Sequence, residues 1–261
     1  MRKILSCSML LMTLFLIVVL PTASRGIEPE KNAEMLWSER EDHGKAAEAI
    51  AAYEDLLKEM PDDYKVLLRL SRLHYWVGQM LESTNKKEAL EHYAIGKEYG
   101  EKASKAAPEE PGGYFFEAAN LARQNNLKGT FSNLFGISTV RKLNEKAASL
   151  DPEYFYRGTD RFFCAFYTKL PGLLGGSATK AIEFGKRAVE AYPNYAGNRY
   201  FLAEAYVKEG KNDLARKELE AAVALPDDEL SDVVPEQRME KKRAEALLKR
   251  IAKQIPNAVS E

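Results

Sequence analysis

The chain has 261 residues, 45% of them hydrophobic and 30% charged, a soluble folded composition that excludes a disordered or low-complexity class. Its formal net charge of −1 gives no general pull towards nucleic acid or anionic lipid, which removes polyanion binding from the leading functions. The first predicted element is an export signal over residues 1–24. Arg2 and Lys3 form a short positive region, Ile4 to Leu20 is mostly apolar, and Thr22-Ala23-Ser24 offers small residues for cleavage. The apolar run is at the lower edge of spanning length, so a retained anchor is the alternative, and membrane contact is expected only in that case. Cys7 stands near the start of the apolar run, most of which follows it instead of preceding it, which argues against lipidation there. Residues 25–261 then form one domain, with Cys164 as the single cysteine and therefore no intrachain disulfide. Cys164 lies in the aromatic run Phe162–Tyr167 and is expected to be a small buried apolar side chain.

Beyond the signal, similar phrases end successive helical segments. They close at Pro61, Pro108, Pro152, Pro193 and Pro226, each a residue that cannot continue the helical hydrogen-bond ladder. Ahead of them stand small and large apolar residues at helical spacing. Ala49, Tyr53 and Leu56 precede Pro61; Ala181, Gly185 and Ala188 precede Pro193; Ala215, Leu219 and Ala222 precede Pro226. Leu202, Ala203 and Tyr206 fill the preceding helix of the last pair. From Ala181 to Ala215 and from Ala188 to Ala222 the step is 34 residues, the tetratricopeptide period. Small residues let antiparallel helices approach, and the large ones fill the space between hairpins. The predicted fold is an all-α, tetratricopeptide-like solenoid of about five helical hairpins, closed by a terminal helix over Pro235–Lys253. The proline spacings of 47, 44 and 41 residues exceed the last one of 33, and the excess is expected between the helices of a pair, at Val77–Lys87, Gln124–Thr139 and Leu170–Thr179.

Chemistry-bearing motifs are scarce. His43, His74 and His92 lack metal-ligand spacing and are expected to be exposed or capping residues, so no metal or cofactor is expected. Gly175-Gly176-Ser177-Ala178-Thr179-Lys180 lacks the ending of a phosphate loop, and Ser177 is read as a helix N-cap, an anion at that helix start being the alternative. The helix Tyr154–Leu170 carries more aromatic residues than one packed face needs. Most belong to the core, while Arg157, Asp160, Arg161, Phe163 and Tyr167 are candidates for a concave recognition surface. Tyr114, Phe115 and Phe116 either extend that surface or join the core. Arg238, Lys241, Lys242 and Arg243 alternate with Glu236, Glu240 and Glu245 and read as a solvated face. No nucleophile and base stand in recognisable spacing, so the chain is expected not to be an enzyme.

The segment Leu150-Asp-Pro-Glu-Tyr-Phe-Tyr-Arg-Gly158, followed by Asp160-Arg161 and Leu170-Pro-Gly-Leu-Leu-Gly-Gly-Ser177, resembles the TatT family. The likeness continues through Ala181–Ala188 to the tail Pro235–Leu248. These are the tetratricopeptide proteins associated with tripartite ATP-independent periplasmic (TRAP) transporters. The repeats are also similar to those of the regulators of microtubule dynamics. The TatT resemblance implies a periplasmic adaptor that meets a transporter's solute-binding protein; the residues expected to bind a partner or a ligand are Arg157, Asp160, Arg161, Phe163, Tyr167, Gly175, Gly176 and Ser177. It also implies the alternative of a small hydrophobic ligand carried in a pore or cleft; a general envelope scaffold is the third expectation.

Overall fold

The computed structural model describes residues 27–254, so the predicted export segment lies outside the described residues. They form eleven α-helices and no strand. The helices are α1 (Ile27–Ser38), α2 (His43–Glu59), α3 (Tyr64–Leu81), α4 (Lys86–Ala106), α5 (Pro111–Lys128), α6 (Thr130–Leu150), α7 (Tyr154–Lys169), α8 (Ala178–Ala191), α9 (Ala196–Lys208), α10 (Asn212–Ala224) and α11 (Val234–Gln254). Five consecutive hairpins and a terminal helix make a tetratricopeptide-like solenoid.

Local chemistry sets the boundaries. Each of the five repeat-ending prolines stands two residues past the end of an even-numbered helix, where it stops propagation. Several helix starts are capped by side chains: Asp42 accepts from the Lys45 amide at 3.0 Å, Asp63 from Val66 at 2.9 Å, and Ser177 from Lys180 at 3.3 Å. Pro111 opens α5, where its missing N–H costs nothing. The small residues of the repeat are closed off from solvent, including Ala49, Ala181, Ala188, Ala215 and Ala222 at 0% exposure. Between α4 and α5 the backbones nearly touch. A Cβ on Gly100 would come within 2.6 Å of the Glu117 amide nitrogen, and one on Gly113 within 2.4 Å of that of Ser104.

The extra length of the early repeats corrects the sequence expectation. It is spent on helix, not on connections, in the first two long units. Helices α3 and α4 have 18 and 21 residues and α5 and α6 the same, against 13 each for α9 and α10. Four residues join α3 to α4, and Gly129 alone, at φ 99°, joins α5 to α6. Only α7 and α8 keep a true loop, which contains the 3₁₀ turn Gly172–Leu174.

The odd-numbered helices α3, α5, α7, α9 and α11 succeed one another along the inner side. The inner layer then closes on itself. Glu236 of α11 bonds Arg40, beyond the end of α1, at 2.5 Å and stands 3.7 Å from Arg72 of α3. Arg238 reaches Glu41 at 2.8 Å and Arg243 reaches Gln79 at 3.0 Å. Met239 packs with Ala46, Trp76 and Val77. The charged face of α11 was expected to be solvated; Lys242 and Glu245 are exposed, whereas Glu236, Arg238 and Arg243 form the seam of a ring, because they meet Arg40, Arg72, Glu41 and Gln79 from the first hairpins. Arg40 is 1% exposed there and its guanidinium lies 3.9 Å from the centre of the Trp37 ring.

Candidate functional site

The ring encloses a lumen of about 390 Å³. Its wall is built by stripes from four of the inner helices, at the spacing of a single helical face, while α9 contributes Phe201. Helix α3 gives Arg72, Trp76 and Gln79; α5 gives Phe116, Ala119, Arg123 and Asn126; α7 gives Gly158, Phe162, Ala165 and Lys169; α11 gives Glu236 and Glu240. Helix α6 intrudes with Ile137, Val140 and Asn144. The lumen is predominantly apolar, with several aromatic rings and with charged groups set at intervals.

The start of α7 shapes this wall by an unusual backbone. Phe155, Tyr156 and Arg157 have φ values of 50°, 56° and 60°, three successive left-handed residues without a glycine among them. Such conformations cost about 1–2 kcal/mol per residue, so the surroundings must hold them. Arg161 donates to the carbonyls of Tyr156 at 3.1 Å and Phe155 at 3.2 Å and to Asn198 Oδ1 at 2.8 Å. Asn198 in turn donates from Nδ2 to the carbonyls of Ala188 at 2.9 Å, Tyr156 at 3.2 Å and Tyr192 at 3.2 Å. The Tyr156 ring lies parallel to that of Tyr195, with centroids 5.1 Å apart. This clamp directs Phe155 into the lumen, where its ring meets Phe115 at 5.8 Å and Phe116 at 5.5 Å. The guanidinium groups of Arg72 and Arg161 lie 5.2 and 5.4 Å from the same ring centre.

Of the eight residues singled out in the sequence, Arg161 is on the lumen wall. Arg157 is paired with Glu153 at 2.7 Å and Asp160 at 3.1 Å, and Asp160 also with Arg187 at 2.8 Å. Burial raises the Asp160 pKa, against the pull of Arg187 and Arg157. Phe163 and Tyr167 face α8, with ring centroids 5.1 and 5.7 Å from Phe184. Gly175, at φ 92°, Gly176 and Ser177 belong to the loop beside the lumen; the amides of Gly175 and Gly176 are used within it, to Gly172 and Pro171, and that of Ser177 bonds the Tyr167 carbonyl at the end of α7. Leu170, Pro171 and Leu174 of that loop border the lumen, while Leu173 is 101% exposed.

Polar wall residues that sequence reading passed over include Arg72, Arg123, Asn144 and Lys169, and Glu236 was read there only as part of a solvated face. Their signal was available as polar interruptions of an otherwise apolar helical stripe. Lys169, at the end of α7, is solvent-exposed at the edge of the lumen and has neither a hydrogen bond nor an ion pair among the described residues. Arg72 leaves Nε and Nη2 buried without a hydrogen-bond partner. Cys164 is fully buried, which pushes its thiol up to about 12.

His43 is exposed, as expected, whereas His74 and His92 depart from expectation. His74 is buried and its Nδ1 lies 3.0 Å from that of His92 across α3 and α4, because the hairpin aligns positions 18 residues apart. Burial pushes His74 down to about 3 and lowers His92 as well. Among the described residues no group of three or more His, Cys, Asp or Glu is placed to hold a metal, and no helix is long and apolar enough to cross a membrane.

Comparison with known proteins adds two family matches. Residues 111–254 match the family described as TRAP transporter T-component, and residues 31–157 match the regulators of microtubule dynamics 1–3. None of the curated proteins matches the chain. Among solved structures, TTC0263, a thermophilic TPR protein of Thermus thermophilus, is similar at 21% identity with a TM-score of 0.57, covering 84% of this chain and 97% of its own. At that identity the likeness supports the fold alone. A crystal structure of MamA matches 81% of this chain and 93% of its own, at 18% identity and a TM-score of 0.38.

Proposed function

Because the chain belongs to the TRAP transporter T-component family, we propose that it is a periplasmic, non-catalytic adaptor that docks the solute-binding protein of such a transporter at the rim of its lumen. The family match over 111–254 is the observation that carries this reading, since it spans the α7–α8 loop and most of the lumen wall. Leu173 supports the choice of surface. A leucine wholly open to water beside Leu174, itself 45% exposed, gains apolar burial only when something covers it. The export segment at residues 1–24 would deliver the domain to the periplasm.

The test uses residues 25–261 as bait in an envelope fraction, with Leu173→Asp in parallel. Recovery of a solute-binding protein by the parent and its loss with L173D, at unchanged helical circular dichroism, is the expected result. Equal recovery by both baits refutes docking through this loop.

A second reading, carriage of a small apolar ligand, is favoured by the lumen itself. A volume of about 390 Å³ with apolar walls is within the range of small-molecule sites. Delivery of such a ligand to the docked partner would join the two roles.

A further inference from the structure

All three histidines of the chain gather where α2, α3 and α4 pack together. The Nδ1 atoms of His74 and His92 stand 3.0 Å apart, and His43, at the start of α2, is near enough for its charge to act on His92. His74 is 3% exposed, and its ring is stacked on that of Tyr99 with centroids 5.7 Å apart, which fixes its orientation. His92 is only partly buried, so the pair keeps access to solvent. Burial lowers both pKa values, and each ring is therefore neutral at neutral pH, with one lone pair to offer. Glu88 lies one turn before His92 on the same face of α4, and Glu88 and Glu91 both set negative charge beside that imidazole. A tetrahedral zinc ion with nitrogens at about 2.0–2.1 Å holds two of them about 3.3 Å apart. The two Nδ1 atoms already stand within a few tenths of an ångström of that separation.

We propose that His74 and His92 bind a divalent transition-metal ion of the zinc class through their Nδ1 atoms, with Glu88 and water completing a four-coordinate shell. Imidazole nitrogen with one carboxylate is a donor set that suits such an ion and not magnesium or calcium. The shared hydrogen moves to Nε2 of His92, the ring open to solvent, so both Nδ1 lone pairs reach the ion with no net release of a proton. Three ligands are not assembled in advance among the described residues, and the Glu88 carboxylate bonds the Asn85 amide at 2.8 Å. Binding therefore includes a turn of the Glu88 side chain away from its cap. The loaded ion ties α3 to α4 within one hairpin. None of His43, His74, Glu88 and His92 is on the lumen wall, so the site is independent of the adaptor and carrier readings.

The experiment titrates untagged, metal-free residues 25–261 with Zn²⁺ at neutral pH by isothermal calorimetry, with Mg²⁺ as the comparison. The expected result is saturable binding of one Zn²⁺ per chain, no binding of Mg²⁺, and a higher melting temperature for the loaded protein. His92→Gln, at a partly exposed position, should weaken Zn²⁺ binding by about tenfold or more at unchanged helical circular dichroism, and Glu88→Gln by about threefold. Absence of saturable Zn²⁺ binding overturns the proposal. Binding that H92Q leaves unchanged overturns it too, because the ion then sits elsewhere. A larger loss in His43→Gln than in H92Q moves the ion to the start of α2 and overturns the assignment to the pair.

Discussion

Glu117 is a case where a single side chain sets a measurable pH dependence. It is 9% exposed on α5, and burial, aided by the Glu101 charge and opposed by Lys97 and Lys105, raises its pKa to about 7. An acid whose folded pKa lies above its unfolded value favours the folded state most below the unfolded value, and that advantage fades as pH rises towards 7. Stability is therefore expected to fall between about pH 4.5 and pH 7 at this site, by about 1–2 kcal/mol once screening is allowed for. Glu117→Gln should remove that slope and raise the neutral-pH melting temperature, as urea titrations across this range would reveal. His74 contributes in the opposite sense. Its folded pKa is depressed to about 3, so its contribution is present above the ordinary histidine range and is lost on acidification. Neither effect was legible in sequence, because both depend on which residues the hairpins bring to face each other.

At the scale of an element, α7 shows how far local signals reach. Its position, its proline-bounded start and its aromatic excess were all readable, and so was the capping role of Ser177. The left-handed turn at its beginning was not. Phe155, Tyr156 and Arg157 are ordinary residues with no intrinsic preference for positive φ; partners far along the chain impose it. The same turn moves Arg161 from candidate ligand contact to clamp. Asn198, bonded to Arg161, to the turn and to the end of α8, is the element's remote support. Asn198→Ala should cost about 2–4 kcal/mol by leaving buried carbonyls unpaired, with chemical denaturation as the measure. It should also loosen Phe155, visible as increased proteolysis near residues 153–158. The even-numbered helices were easier to foresee, since their small residues recur at a fixed period and end on proline.

The whole molecule differs from the open superhelix that a repeat pattern brings to mind. Five hairpins and a terminal helix were countable in advance, whereas closure was not, because the contacts that make it join residues nearly 200 positions apart. The acidic and basic residues of α11 look the same whether they face water or Arg40. Closure predicts an uneven response to mutation. Glu236→Ala strands Arg40, already buried to 1% exposure, and should cost about 3–5 kcal/mol, while Glu41→Ala, at the exposed Arg238 pair, should cost less than about 1 kcal/mol; thermal unfolding of the two variants compares them directly.

An open array tolerates gain or loss of a unit, since each repeat needs only its neighbours. A closed one does not. Duplicating or deleting a hairpin here would carry Glu236 away from Arg40 and separate the two edges that now meet. The bond between first and last therefore acts as a counter, fixing the number of repeats and with it the bore of the lumen.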